Sequence, residues 1–226
     1  ETLHRMGRLE EALLDQTKAA ELEPGNALYW HGMGATLHDM ERYEEALEYK
    51  TKAAQTEPDT AAYYESRGLT LHEMRRYDEA LADKTKAIES EPGNAWFYNS
   101  RGITLHEMKR YEDALGDAVK ACEIDPESKE FRASKAITLS RLRRYKEALE
   151  ILEEVIPFCE KDYAYRYRAR TKLKLAEQSN APIPDDVWED YDKALELDGE
   201  YSMNHVYKAE AYLLTGQLES AKRALD

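Results

Sequence analysis

The chain has 226 residues, of which 42% are hydrophobic and 35% are charged, and its formal net charge is −14. It is more charged than an average globular domain (about 25%), which favours an elongated array with much surface per residue over a compact protein with one core. The acidic excess argues against general binding to nucleic acid or to an anionic membrane surface, because both attract cationic proteins.

The cysteine content and the hydropathy pattern bear on location. The two cysteines, Cys122 and Cys159, have no metal-like spacing, and we expect reduced, buried thiols. No apolar run approaches the ~20 residues that span a bilayer, and no signal peptide is recognisable. We therefore expect a cytoplasmic protein without membrane association. Because the chain does not begin with Met, we also expect it to belong to a longer protein.

A period of 34 residues runs through the sequence. Five residue types share one register, which excludes chance as the explanation and indicates a repeat architecture. The recurring positions are Pro24, Pro58, Pro92 and Pro126; Ala12, Ala46, Ala80, Ala114 and Ala148; Gly34, Gly68 and Gly102, continued by Ala136; Tyr43, Tyr77, Tyr111 and Tyr145; and Leu3, Leu37, Leu71, Leu105 and Leu139.

Each period predicts two helices. An N-cap residue type follows each proline by two positions, and such side chains accept hydrogen bonds from the free N–H groups of a helix start. These residues are Asn26, Thr60, Asn94 and Ser128. In the unit that begins after Asn26 we expect a first helix from about Ala27 to about Glu41 and a second from about Glu44 to about Glu57, which the next proline ends.

Small residues predict where the two helices touch. Glycine inside a helix costs roughly 1 kcal/mol relative to alanine, so its recurrence at Gly34, Gly68 and Gly102 indicates a close contact that offsets the cost. The recurring alanines of the second helices are the expected partners in that contact.

This pattern resembles the tetratricopeptide repeat family. Within residues 27–60 the matching positions are Trp30, Gly34, Leu37, Ala46, Ala53 and Pro58. The resemblance implies an all-α fold, a right-handed α-solenoid of antiparallel helix hairpins. One departure is that Lys50 and Lys84 stand where the family has an aromatic residue in the second helix, which implies more polar contacts between repeats.

The resemblance covers nearly the whole chain and predicts a single array over residues 1–226. Its expected division is a partial repeat 1–26; regular repeats 27–60, 61–94 and 95–128; a divergent repeat 129–161; a repeat 162–199 with an inserted loop 177–186; and a partial repeat 202–226. Both ends of the chain fall inside repeats, so we expect a longer parent protein or self-association that covers the ends.

The resemblance also implies a partner-binding groove, lined in this family by positions 2, 5, 9, 12 and 13 of each first helix. The candidate groove residues are His38, Glu65, Leu69, His72, Glu73, Trp96, Asn99, Ile103, His106, Glu107, Arg141, Tyr163, Arg166, Arg170 and Lys174. Some relatives clamp a chaperone's C-terminal carboxylate with Lys and Asn at positions 5 and 9. Those positions hold other residues here, such as Glu65 and Leu69, so we do not expect a chaperone adaptor.

A row of histidines, His4, His38, His72 and His106, recurs in the first helices. A metal site, a pH switch, contact with a partner and simple copying by duplication are the alternatives. Stacked helices lie ~8–10 Å apart, whereas zinc needs nitrogen ligands at ~2.0–2.1 Å, so the spacing disfavours metal. We expect no metal and no cofactor.

Charge changes along the chain. Asp39, Glu73 and Glu107 are either a solvated rim or an attraction for a basic partner. Residues 129–174 hold 13 basic and 7 acidic residues, unlike the acidic remainder. In that segment Tyr163, Arg166, Arg170 and Lys174 share one helix face. It is either solvated, or a pocket for an acidic peptide or carboxylate; the acidic remainder disfavours single-stranded nucleic acid.

Sequence signatures of catalysis such as HExxH, GxSxG or a phosphate-binding glycine-rich loop are missing, so we do not expect an enzyme. The leading hypothesis is a scaffold or adaptor that binds an extended or helical protein segment in the concave groove, the partner being charge-segregated. The alternatives are a regulatory or substrate-recruiting arm of a larger enzyme, and a scaffold that assembles with its own copies through the array ends.

Overall fold

A computed structural model describes residues 8–158, 161–200 and 202–224, and within these ranges the chain is helical with no strand. The chain divides into two compact units between Ile124 and Asp125. In each unit, neighbouring helices along the chain pack on one another as hairpins. Across the described residues, no helix combines the length and apolarity needed to cross a bilayer.

The first unit consists of one leading helix and three hairpins. Each hairpin packs on the next through its second helix and the following first helix. The helices are α1 (Leu9–Leu22), α2 (Ala27–Asp39), α3 (Tyr43–Thr56), α4 (Ala61–Glu73), α5 (Tyr77–Ser90), α6 (Ala95–Glu107) and α7 (Tyr111–Ile124).

The second unit continues the same alternation of helices. Its helices are α8 (Lys129–Arg141), α9 (Tyr145–Val155), α10 (Asp162–Ser179), α11 (Asp186–Leu197), α12 (Ser202–Leu214) and α13 (Leu218–Arg223), with a short 3₁₀ turn at Ile156–Phe158. The pairs α8 and α9, α10 and α11, and α12 and α13 pack on each other.

The turns inside the hairpins begin earlier in the chain than the sequence predicts. The first helix of the unit after Asn26 ends at Asp39, not Glu41, because Glu41 is left-handed with φ 58°. The Arg42 N–H then donates to the Leu37 carbonyl at 2.9 Å, which closes the helix end in the manner of a Schellman motif. Arg75, Lys109 and Arg143 repeat this conformation.

The predicted helix caps are present with one exception. The side chains of Asn26, Asn94 and Ser128 accept hydrogen bonds from the backbone N–H groups of Leu28, Trp96 and Phe131. Thr60 makes no such bond, since its hydroxyl donates instead to the Glu57 carboxylate at 3.3 Å.

The insertion expected at residues 177–186 is shorter in the structure. Helix α10 continues to Ser179, and Asn180 ends it in the left-handed region, with φ 48°. Asparagine adopts this conformation at low cost, so it acts as the helix terminator. The irregular segment therefore covers residues 180–185.

The recurring glycines mark close contacts within the hairpins. A Cβ placed on Gly34 would lie 3.1 Å from the Ala46 carbonyl oxygen and 2.5 Å from Cγ of Lys50. On Gly68 it would lie 3.3 Å from the Ala80 carbonyl oxygen and 3.0 Å from Cγ of Lys84. Gly116 differs, because a Cβ there would have no neighbour within 4 Å.

These contacts predict opposite effects for two Gly→Ala substitutions. Gly116→Ala should raise the free energy of unfolding by about 1 kcal/mol, because alanine is the better helix former and meets no obstacle. Gly34→Ala should lower it by roughly 1–3 kcal/mol, because the added methyl group overpacks the hairpin. Urea denaturation of both variants checks this, and equal effects at the two sites would refute the packing explanation.

Candidate functional site

Large apolar side chains are exposed in a row on the first helices of the first unit. Leu28 in α2, Leu69 in α4, and Trp96 and Ile103 in α6 are between 37% and 62% exposed. They occupy positions 2 and 9 of their repeats, the positions for which the sequence predicts partner contacts. Together they give this unit an apolar surface that its own helices do not cover.

An acidic row follows at the C-terminal ends of the same helices. Asp39, Glu73 and Glu107 are exposed, and Glu107 lies 3.9 Å from the ring of His106. Position 13 of the three repeats therefore presents a carboxylate to solvent beside the apolar row.

Position 5 of these repeats carries polar side chains that are more buried than the sequence suggests. Glu65 and Asn99 are buried, and His31 is half-buried. One atom of each, His31 Nδ1, Glu65 Oε2 and Asn99 Nδ2, has no hydrogen-bond partner among the described residues. Burial also raises the pKa of Glu65, against the lowering effect of Lys84 and of the Ser100 hydroxyl. The apolar and acidic rows thus flank polar groups that remain unsatisfied within the chain.

Two buried lysines lie between successive repeats. The Lys50 side chain is 3% exposed, and its ammonium group donates to the Ser66 carbonyl at 3.1 Å and to the Thr70 hydroxyl at 2.7 Å. Lys84 is 1% exposed and donates to the Ser100 carbonyl at 3.2 Å and to the Ser100 hydroxyl. The polar contacts between repeats that these lysines imply from the sequence are therefore hydrogen bonds to the following first helix.

The two lysines differ in their nearest counter-charge. Glu65 lies 4.0 Å from the Lys84 ammonium group, and Ser100 donates its hydroxyl to the Glu65 carboxylate. At the position equivalent to Glu65, the repeat of Lys50 has His31, which supplies no negative charge. Burial lowers the pKa of Lys50 to about 8, with only a partial opposing effect from Asp39. Lys50 is thus the less compensated of the two.

The histidine row forms contacts within the protein. His38 Nδ1 lies 3.1 Å from Thr70 Oγ1, and His72 Nδ1 lies 3.1 Å from Thr104 Oγ1, each in the next repeat. The His38, His72 and His106 rings also pack edge-on against the tyrosine that begins their second helix, with centroids 5.1–5.4 Å apart. His4 lies outside the described residues.

The environment of these histidines favours neutral rings. Burial lowers the pKa of His38 and His72, and the nearby Lys50 and Lys84 lower it further, against smaller raising effects of acidic neighbours. Among the described residues, no group of three potential metal ligands lies close enough to hold an ion. The row therefore links the repeats in this structure, a role that the sequence did not predict.

The basic face predicted in the second unit is largely neutralised by the chain itself. Arg166 is buried and donates to Asp162 and Asn204 at 2.7 Å, so it does not present its charge to a partner. Lys174 lies 3.1 Å from Glu177 and 3.4 Å from Glu210. Arg170 stacks on the Tyr207 ring at 4.4 Å.

Tyr163, the fourth residue of this face, is half-buried. The candidate groove residue Arg141 is also half-buried and lies over the Tyr167 ring. The run of alternating tyrosine and arginine is therefore mainly a set of internal contacts. Asp162 lies in the same segment, four residues before Arg166, whereas Asn204 and Tyr207 are on α12, so the segment's own composition gave no sign of these two partners.

The fold and the site together define an α-helical repeat protein of the solenoid class whose first unit exposes an apolar and acidic surface. Four models of the tetratricopeptide repeat match residues 29–51, 61–94, 85–116 and 132–161. The chain is a tetratricopeptide repeat protein, and so belongs to a family of interaction scaffolds that are not catalytic as a class. Among curated proteins, no sequence matches it.

Solved structures support the same fold. A tetratricopeptide repeat protein from Parabacteroides merdae superposes with a TM-score of 0.81 at 20% identity, covering 99% of this chain and 88% of that one. A chain of the APC/C hetero-tetramer Cut9–Hcn1 gives 0.80 at 14% identity, with 99% and 44% covered. YrrB, a tetratricopeptide repeat protein with an unusual peptide-binding site, gives 0.62 at 22% identity, with 84% and 95% covered.

The burial of Lys50 predicts a specific pH dependence of stability. The folded chain releases this proton near pH 8, whereas an unfolded lysine keeps it until about pH 10.5, so the lysine's destabilising effect disappears as the pH rises. The free energy of unfolding of the natural chain should therefore increase by up to about 3 kcal/mol relative to Lys50→Met between pH 7 and 10.5. Denaturation curves across this range check it, and parallel pH profiles would contradict it.

The position of Glu65 beside Lys84 provides a matched variant. His31→Glu should place a carboxylate near Lys50 as Glu65 stands near Lys84, and a nearby opposite charge favours the charged lysine. The pKa of Lys50 should then move back towards 10.5, and the stability gained between pH 8 and 10 should shrink. An NMR titration of the Lys50 side chain reads the pKa directly.

Proposed function

We propose that the first unit binds a partner protein through a groove defined by Leu28, Leu69, Trp96, Ile103, Asp39, Glu73 and Glu107, and that the bound segment carries apolar and basic side chains. The observation that carries this proposal is the row of exposed apolar residues in register with a row of exposed carboxylates. As a tetratricopeptide repeat protein, the chain is an interaction scaffold, and the groove is the surface proposed for that role.

The apolar row supports the proposal energetically. A single exposed leucine is ordinary, but contiguous apolar surface rimmed by polar groups is characteristic of interaction sites. Burial of each such side chain contributes about 1.5–3 kcal/mol, and Trp96 is of the residue type most enriched in binding hot spots. These values are upper limits for the four apolar side chains, because each is already partly buried and association has an entropic cost.

The acidic row supports a basic partner. Carboxylates at the edge of an interface steer an oppositely charged segment and exclude acidic ones. For Glu73 and Glu107, no ion pair to a lysine or arginine is found among the described residues, whereas Asp39 has interactions of its own within the chain. Glu73 and Glu107 therefore retain charge that a bound lysine or arginine would neutralise.

The buried polar atoms at position 5 support a polar component of recognition. Buried groups are normally hydrogen-bonded, and leaving one unmatched costs about 1–3 kcal/mol. Because these atoms are enclosed, a segment in the groove would reach Glu65 and Asn99 only once their side chains rotate outwards. YrrB, which shares this fold, is described as having an unusual peptide-binding site.

The proposed groove lies entirely in the first unit. A charge-segregated partner, self-assembly through the array ends, and attachment to a larger enzyme all stay predictions from the sequence. The internal partners of Arg166 and Lys174 remove the main reason to extend the groove proposal to an acidic ligand.

The groove is tested with a phage-displayed library of random peptides of about 12 residues. Enriched peptides should combine aromatic or aliphatic residues with lysine or arginine. The double substitution Leu69→Lys and Ile103→Lys should weaken the best peptide more than tenfold by anisotropy titration, because it removes two apolar contacts and repels cations. Binding should also fall with added salt.

Leu14→Lys is the matched control, because Leu14 is 56% exposed on α1 and lies outside the defined groove. This variant should bind the peptide within about twofold of the natural chain. Unchanged binding by the groove variant, or enrichment of acidic peptides, would rule out the proposed site.

A further inference from the structure

A cleft of about 890 Å³ lies elsewhere on the first unit, between helices α5 and α7. Leu81 and Leu105 supply apolar lining, and Arg101 and Asp117 are ion-paired beside them. The remaining lining residues are Asp78, Ala82, Thr85, Lys86, Glu89, Arg110, Glu112, Asp113 and Gly116. We call this the α5–α7 cleft.

The α5–α7 cleft and the groove use opposite sides of α6. Arg101 comes five residues after Trp96, and Leu105 comes two residues after Ile103. At 3.6 residues per turn these steps correspond to rotations of about 140–160° around the helix axis. A partner bound in the cleft would therefore not touch the apolar residues of the groove, and the two surfaces are separate sites.

Gly116 is the unusual element of the cleft. A methyl group added to Gly34, Gly68 or Gly102 would meet a close neighbour in the same hairpin, at 2.5, 3.0 and 3.4 Å respectively, whereas Gly116 faces open space. Glycine weakens a helix interior, and at this site no contact within the described chain offsets the loss. The positions equivalent to Gly116 in the other repeats are Glu48, Ala82 and Glu150. The two small residues, Ala82 and Gly116, both line the cleft, and the glutamates are in the adjoining repeats.

The charges of the cleft leave a negative surplus. Arg101 pairs with Asp117 and Arg110 with Asp113, both at 2.7 Å. Lys86 donates to the Tyr64 hydroxyl at 2.8 Å and lies over its ring. For Asp78, Glu89 and Glu112, by contrast, the described part of the chain provides no ion pair. The lining therefore holds five carboxylates against three cations, a net charge of −2, because the hydrogen bond of Lys86 to a neutral phenol leaves its own charge in place.

We propose that the α5–α7 cleft binds a basic amphipathic helix of a partner protein. The α5 lining runs from Asp78 to Glu89, a length of about 16 Å that matches three helical turns. A helical partner satisfies its own backbone hydrogen bonds. An extended partner would need free backbone groups on α5 and α7, and those groups are already bonded within each helix. Ala82 and Gly116 let its backbone come close, and its lysines or arginines meet the carboxylates. Its apolar face meets Leu81, because Leu105 is only 5% exposed and adds little contact area.

The test uses the full chain with Leu69→Lys and Ile103→Lys, which removes the groove as a binding site. The probe is a fluorescein-labelled peptide of about 14 residues with leucine and lysine at helical spacing; a second probe has glutamate in place of lysine. The lysine peptide should still bind by anisotropy titration, and the glutamate peptide should not. Adding Gly116→Met should weaken the lysine peptide at least tenfold, because the new side chain fills the cleft.

Glu48→Met is the matched control, because it adds the same side chain at the equivalent position of the neighbouring repeat, outside the cleft lining. It should change binding by less than about threefold. Circular dichroism should show that Gly116→Met folds at least as well as its parent, since methionine is the better helix former.

A spin label on the lysine peptide should broaden the methyl NMR signals of Leu81 and Leu105 more than that of Leu28. Loss of all binding in the groove-disabled background, equal binding with and without Gly116→Met, or broadening centred on Leu28 would each overturn the cleft proposal. None of these outcomes decides the groove proposal, which depends on peptides selected with the natural chain.

Discussion

The structure of the first unit depends on the close contact between the two helices of each hairpin. At Gly34 the second helix approaches so near that Cγ of Lys50 and the Ala46 carbonyl occupy the space of a side chain. The lysine stem therefore crosses directly over the first helix and carries its ammonium group to Ser66 and Thr70 of the next repeat. The same contact closes the hairpin and joins it to its neighbour.

A polar junction of this kind contributes more to register than to net stability. Burial of an ammonium group is costly, and a well-packed apolar residue of similar size is often the more stable choice. However, Lys50 and Lys84 each require a carbonyl and a hydroxyl at fixed points of the following helix, and His38 and His72 require a threonine there. A helix shifted by one residue would leave these groups unmatched, so the junction favours one register of stacking.

The 34-residue period was sufficient to predict the hairpins, because proline, cap and small-residue positions recur with clear physical roles. The left-handed backbone in the turns was not predictable, since Glu41, Arg75, Lys109 and Arg143 adopt it without being glycine. The buried lysines and Arg166 were also difficult, because such residues are normally exposed and, apart from Asp162, the partners named for them lie 16–38 positions away. The groove was predicted from the resemblance to a known family. The α5–α7 cleft was recognised only from the structure, in which a Cβ on Gly116 would have no neighbour among the described residues.

The unpaired carboxylates of the first unit lie on its surface, whereas those inside the hairpins are paired with arginines. Inside the hairpins, Asp83 and Asp117 are matched by Arg67 and Arg101 in bidentate pairs, and burial of these carboxylates is thereby compensated. Glu73 and Glu107 of the groove, and Asp78, Glu89 and Glu112 of the α5–α7 cleft, have no basic partner of this kind in the described chain. Asp78 and Glu112 also lie in the first turns of α5 and α7, where a carboxylate stabilises the helix, so these two charges serve folding as well as the surface of the cleft.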